Sequence, residues 1–160
     1  LVIEKATELG VQRIVPFVSA FTVVQAVQDQ CAGRLARWQR LAQSAAKQSG
    51  NPVPLITPPC SLRDLLTTAA DETDKVLLYE KERTLTLKAF AHTHPACSSL
   101  WVVIGPEGGF TTEEVEQARA TGFQIVGLGT RVVRAETASI AAVALCQFLW
   151  GDGGTKNNSL

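Results

Sequence analysis

The chain has 160 residues, 46% of them hydrophobic and 19% charged, enough apolar material for one compact domain with a core and too much for a disordered or fibrous chain. Fifteen basic and fifteen acidic side chains cancel, so no global field marks a nucleic acid or an anionic membrane as partner, and any such contact has to be local. The four cysteines, Cys31, Cys60, Cys97 and Cys146, form no C-x-x-C pair, and only Cys97 has histidines near it, His92 and His94. That spacing argues against a metal site and for scattered reduced thiols in a cytoplasmic protein.

The longest apolar helix candidate, Ala138 to Trp150, is too short to span a bilayer, and no signal-peptide pattern is present. The chain starts at Leu1 and contains no methionine. Its opening residues read as a helix already under way, so an N-terminal portion is expected to precede them.

In chain order, Val2, Ala6 and Leu9 fall near a helical period, and Gly10 stands where a left-handed residue ends a helix. Arg13 to Val18 reads as a strand. Ser19 to Gly33 has neither period cleanly and reads as an exposed loop with some local structure. From Arg34 to Gln48 the helical pattern is clear, with Leu35, Trp38, Leu41, Ala42 and Ala45 on one side and Arg37, Arg40, Ser44 and Lys47 on another. Ser49-Gly50-Asn51-Pro52 stops it. Val53 to Thr57 is a strand candidate, Ser61 can cap a helix over Leu62 to Ala70, Lys75 to Glu80 is a strand, and Leu85 to Ala91 is a short helix. Leu100 to Ile104 is too apolar to alternate, as in a central strand covered on both faces. Thr111 and Glu114 have the offset of a capping box, opening a helix that runs to Thr121 and closes at Gly122. Phe123 to Leu128 is a strand, Gly129 to Glu136 a loop, and Thr137 to Trp150 an almost wholly apolar helix that must be buried in the core or against a second subunit. Strands alternating with helices specify an α/β fold with a mostly parallel sheet and helices on both faces. The domain is expected over residues 1–150, with 151–160 a polar flexible tail.

Two breaks carry the functional signal. Gly105-Pro106-Glu107-Gly108-Gly109 lacks the lysine and hydroxyl of a Walker loop and the Gly-x-Gly-x-x-Gly of a dinucleotide site, and Glu107 would repel a polyphosphate. Bare glycine backbone without a cation suits a neutral or cationic small molecule with a flat ring. The second break, from Leu128-Gly129, brings Arg131 and Arg134 ahead of Glu136-Thr137 at the start of the apolar helix, whose N-terminus can hold a polar group. An Arg134 to Glu136 contact is the plain structural alternative.

These residues together, Val103-Ile-Gly-Pro-Glu-Gly-Gly-Phe-Thr-x-x-Glu followed by Leu128-Gly-x-Arg-Val-Val-Arg-Ala-Glu-Thr-Ala138, resemble the RsmE family, small-subunit ribosomal RNA uridine-N3 methyltransferases of the SPOUT class. Glu4-Lys-Ala-Thr-Glu-Leu-Gly-Val11, Arg37-Trp38 and Gln48-Ser49-Gly50 look like that family's upstream segments. The resemblance runs in order from Ile3 to about Trp150. It implies an S-adenosyl-L-methionine cofactor, a deep C-terminal trefoil knot, a homodimer, small-subunit ribosomal RNA as substrate and an N-terminal PUA-like RNA-binding barrel that this chain does not contain. Carried over by position, the cofactor residues are Leu78, Tyr79 and Glu80, then Gly105, Pro106, Glu107, Gly108 and Gly109, then Leu128 and Gly129, and last Val133, Arg134, Thr137 and Ala138. Arg134 is the candidate for positioning the base or stabilising its anion, with Glu136 and Glu107 as weaker candidates. Arg34, Arg37, Arg40 and Lys47 are the candidate RNA contacts.

Two segments depart from the family pattern. Ser19-Ala20-Phe21-Thr22 stands where Ser-Glu-Arg-Ser is common, and Ser44 to Asn51 lacks the usual charges. The expectation is a fragment that binds the cofactor and methylates RNA weakly by itself. The alternatives are a non-catalytic RNA- or ribosome-binding module with the same fold, or a SPOUT methyltransferase acting on another RNA position.

Overall fold

The computed structural model describes residues 1–21, 31–69, 71 and 74–151, without the side chains of residues 31 and 32. Most of the loop expected over Ser19–Gly33, and the expected tail after residue 151, lie outside the described residues. The elements run α1 (Val2–Glu8), β1 (Arg13–Ile14), β2 (Phe17–Val18), α2 (Cys31–Ser49), β3 (Leu55–Ile56), β4 (Cys60–Ser61), α3 (Leu62–Thr68), β5 (Lys75–Leu78), α4 (Leu87–Thr93), β6 (Trp101–Ile104), α5 (Thr112–Ala120), β7 (Gln124–Val126) and α6 (Ala135–Trp150). The strands pair β1 with β3, β2 with β4, and β5 with both β6 and β7, every pair parallel. The α/β architecture with parallel sheets is therefore as the alternating pattern predicts.

The main sheet has the order β6-β5-β7. Its middle strand separates two cores by simple alternation. Leu77 joins Leu65, Val103, Phe110, Phe123 and Ile125 on one face, while Val76 and Leu78 join Leu87, Phe90, Val126 and Ala142 on the other. All four residues of β5 are buried. The centre of the sheet is thus β5 and not Leu100–Ile104, whose strand β6 is an edge. An unbroken apolar run looks the same in both places when layers other than strands cover the edge. Here β6 and β1 line a shared cavity of about 680 Å³, and the Arg13 guanidinium lies 5.8 Å from the centre of the Trp101 ring.

The chain ends of the elements follow local chemistry. Ser61 and Thr86 accept the Asp64 and Ala89 backbone N–H groups and start α3 and α4. Thr111 and Glu114 form the expected reciprocal capping box of α5, and Gly10 and Gly122 adopt φ of 78° and 84° beyond the ends of α1 and α5. The Asn51 amide donates to the Thr7 and Glu8 carbonyls, closing the C-terminal end of α1 from the far end of α2.

Two further expectations need correction. The single strand over Arg13–Val18 is two short strands, because Pro16 has no N–H for a ladder; its carbonyl instead accepts from Cys60 N–H at 3.1 Å. That bond also explains β4, which the Pro58-Pro59 sequence concealed. Of the two places expected to bury α6, the core of this chain or a second subunit, the core does not. Within this chain only Ala142 of its 16 residues is buried, and Phe148 is 67% exposed. The helix is held at its C-terminal end, where Gln147 donates to the Leu9 carbonyl and Trp150 to that of His94, both at 2.7 Å.

Truncating Leu77, which is fully buried at the centre of the sheet, removes contacts no neighbour can replace. Leu77→Ala is expected to lower the unfolding free energy by about 2–5 kcal/mol, read as a lower urea midpoint at unchanged slope.

Candidate active site

Parallel pairing sends the carboxyl ends of β5, β6 and β7 to one side, and a cavity of about 430 Å³ lies there. Ligands of open α/β sheets bind at this end, where loops leave the strands with unpaired backbone. β5 contributes Leu78, Tyr79 and Glu80; β6 leads into Ile104, Gly105, Pro106, Glu107, Gly108 and Gly109; the segment after β7 contributes Leu128, Gly129, Arg131, Val132, Val133 and Arg134.

The glycines of the first loop are required by what surrounds them. A Cβ on Gly105 would stand 2.9 Å from the ring of Phe110, which is itself buried in the core. Gly109 has φ 72°, and a Cβ there would meet the Glu80 carboxylate at 2.9 Å. The Gly109 N–H donates to the Pro106 carbonyl at 2.9 Å and tightens the turn. Backbone is the surface the loop can present, and α5 begins directly after it.

The second loop is tied to the segment that follows β5. Gly127 donates to the Leu85 carbonyl and accepts from Leu87 N–H, a spacing so close that a Cβ on Gly127 would collide with the Glu82 carbonyl. The Arg83 guanidinium donates to the Gly129 carbonyl at 2.7 Å. Glu82 Oε1 accepts from Thr84 and Leu85 N–H at 2.6 and 3.0 Å. The Leu85 and Thr84 hydrogen bonds, with Arg119 nearby, hold the Glu82 carboxyl below its ordinary value.

At the third wall, Arg134 is the N-cap residue of α6 and supplies no side-chain cap. The first N–H groups of that helix therefore carry their partial positive charge uncapped beside the cavity, which Ala135 and Ala138 also line. Two carboxylates, Glu80 and Glu107, and two guanidiniums, Arg131 and Arg134, line the same space. No ion pair joins them among the described residues. The site can therefore complement both signs of charge on one ligand.

A family model described as an RNA methyltransferase domain matches residues 1–147. The chain belongs to that family. Its similarity extends to the ribosomal RNA small subunit methyltransferase E of Mesomycoplasma hyopneumoniae, 35% identical over 90% of this chain and 61% of that protein. The Bacillus subtilis protein of the same name is 34% identical over 92% of this chain and 59% of its own length. A crystal structure of a ribosomal RNA small subunit methyltransferase E from Neisseria gonorrhoeae bound to S-adenosyl methionine superposes with a TM-score of 0.84 at 39% identity, covering 94% of this chain and 60% of that one. The chain thus spans about three fifths of the relatives it matches.

Within this RNA methyltransferase domain, the residues proposed from sequence divide in two. Leu78 to Glu80, Gly105 to Gly109, Leu128, Gly129, Val133, Arg134 and Ala138 all line the one cavity. Thr137 and Glu136 do not; they sit in the first turn of α6, exposed, and the alternative Arg134 to Glu136 contact is not made. Arg34, Arg37, Arg40 and Lys47 are exposed on α2 and line none of this cavity. Sequence reading missed Ile104, Phe110 and Val132 as lining, and Arg83 as a tie between the loops. Nothing in the spacing of Arg83 signals its partner, which is 46 residues away.

The lowered Glu82 value fixes a pH dependence. The unfolded chain takes up the proton first, so the Glu82 contribution is complete above its ordinary 4.5 and is lost as pH falls through the lower native value. The stability difference between the wild type and Glu82→Gln is therefore expected to shrink as urea titrations move below that pH.

Proposed function

We propose that this chain is the cofactor-binding and catalytic part of an S-adenosylmethionine-dependent methyltransferase acting on N3 of a uridine in small-subunit ribosomal RNA. The observation that carries the reading is the cavity at the carboxyl ends of three parallel strands, walled by glycine backbone, in a chain of the RNA methyltransferase domain family.

The residues present fit that cofactor. About 430 Å³ suits a nucleoside-sized ligand. Gly105, Gly108 and Gly109 contribute main chain and no side chain to the wall, their Cβ positions being taken up by Phe110, Phe21 and Glu80, and Glu80 and Glu107 complement a cationic centre. Among the described residues no lysine lines the cavity, so it lacks the lysine of a Walker-type phosphate loop. The bound cofactor supplies an already activated methyl group, so the protein's work is alignment and charge. Arg134 lines the cavity with no ion pair among the described residues, where it orients the base and stabilises the negative charge that grows on the ring as N3 loses its proton. Glu136 is exposed in the next turn and lies outside the cavity lining. The exposed Arg37, Arg40 and Lys47 side of α2, with Arg34 near its start, supplies local phosphate contacts in a chain of zero net charge.

The finer features of the resemblance belong to this proposal. They are a SPOUT domain over residues 1–150 with its late loops forming a trefoil knot, a polar tail over 151–160, a cytoplasmic location, a PUA-like barrel in the intact protein and a homodimer. The dimer is supported by α6, which leaves Leu145 and Phe148 exposed on an almost wholly apolar helix beside the cavity. Covering that face is worth about 25 cal/mol per Å².

Calorimetric titration with S-adenosylhomocysteine tests the first element: saturable binding is expected, and none by the folded protein would refute it. Arg134→Ala is expected to lower the methylation rate about 10²–10³-fold in the protein joined to its RNA-binding part, with a smaller loss of cofactor affinity. Phe148→Asp should shift sedimentation from dimer to monomer.

A further inference from the structure

Phe21 is the one large aromatic side chain among the described residues at the cavity's rim that is more than half exposed, at 51%. Its place is set by two independent contacts. The preceding residue, Ala20, donates its N–H to Glu114 Oε1 at 2.8 Å. The other oxygen of that carboxylate, Oε2, accepts from Thr111 N–H at 2.9 Å in the α5 capping box, and Glu114 is buried. One carboxylate thus ties the segment after β2 to the start of the helix that follows the glycine loop. Phe21 itself rests on that loop: a Cβ on Gly108 would stand 2.7 Å from the Phe21 Cβ and 3.2 Å from the first ring carbon. The contact therefore needs glycine at 108, whose φ is not in the left-handed region, so close approach and not backbone conformation sets the residue there.

Gly108 lines the cavity and Phe21 does not. Phe21 meets the loop at its Cβ and first ring carbons, and about half of its surface is open to solvent. An anchored, half-exposed aromatic ring one residue-width from a site proposed to act on RNA has the properties of a base-stacking surface: a fixed π-face, no side-chain charge and no competing hydrogen bond. Arg131, exposed on the second loop, supplies a cation for the same strand's phosphates.

We propose that Phe21 is a stacking platform for the nucleotide next to the one that enters the cavity. The proposal rests on the methyltransferase reading above, and it adds a named contact to unpaired substrate outside the cofactor pocket.

Three proteins decide it: the wild type, Phe21→Leu, which keeps bulk without a π-face, and Phe21→Trp, which restores one. Each is titrated with S-adenosylhomocysteine by calorimetry, then, saturated with it, with a fluorescein-labelled oligouridylate and with an abasic ribose-phosphate of equal length at one fixed salt concentration. Expected are equal cofactor affinities, oligouridylate binding weakened about tenfold in Phe21→Leu, abasic binding unchanged by the substitution, and wild-type binding in Phe21→Trp with quenching of the added tryptophan's emission. Equal oligouridylate affinity in the wild type and Phe21→Leu would overturn the platform, as would wild-type protein that binds cofactor and not the oligonucleotide, and both leave the cofactor reading standing. Absence of cofactor binding in all three folded proteins would instead remove the methyltransferase reading and this proposal with it.

Discussion

Parallel pairing of β5 with β6 and β7 is the constraint on which the site depends. Three strands that run the same way deliver their carboxyl ends to one side, and no chain segment can return there as a tight hairpin. The unpaired backbone at those ends is left to loops, and loops with glycine at the contact points can present it to a ligand. Because β5 is buried on both faces, with Leu77 in one core and Val76 and Leu78 in the other, the position of the three ends is set by the best-packed part of the molecule. The cavity is a consequence of packing elsewhere.

The loops themselves are held by a small number of bonds between distant residues. Arg83 grips the Gly129 carbonyl, Gly127 exchanges hydrogen bonds with Leu85 and Leu87, and Glu114 joins Ala20 to the α5 cap. Each satisfies a backbone group that would otherwise be left unpaired at the end of a strand or helix. They also explain why the glycines cannot be exchanged. At Gly105, Gly108 and Gly127 a side chain would enter a ring, a neighbouring segment or a backbone carbonyl, and at Gly109 and Gly129 the backbone conformation sets its own requirement.

Charge is distributed to match. Guanidiniums and carboxylates line the same cavity without pairing, α6 begins beside it with no side-chain cap, and the basic side of α2 lies apart from it. Apolar surface is distributed less economically within one chain: α6 buries only Ala142 of its length. A helix of that composition gains from water exclusion only when something covers it.

Much of this was legible in the residues. The glycine-proline break at 105–109, the Thr111 and Glu114 capping box, the helix-ending glycines and the two-loop site all follow from local rules, because caps, turns and backbone exposure are decided by a few neighbouring residues. The resemblance carried by Val103 to Glu114 and Leu128 to Ala138 pointed to the family that the comparison then showed. Where sequence reasoning failed, the deciding partner was distant. The centre of the sheet went to β5 because neighbours on both sides pair with it, and an apolar run such as Leu100–Ile104 cannot reveal how many neighbours it has. Arg83, Glu114 and Phe21 acquired their roles only when the fold brought Gly129, Ala20 and Gly108 against them. Composition and short-range spacing thus determined the elements and the chemistry offered at their ends; which strand is central, which loops meet and which side chains stand at the rim were decided by tertiary packing, since each depends on contacts that no local pattern encodes.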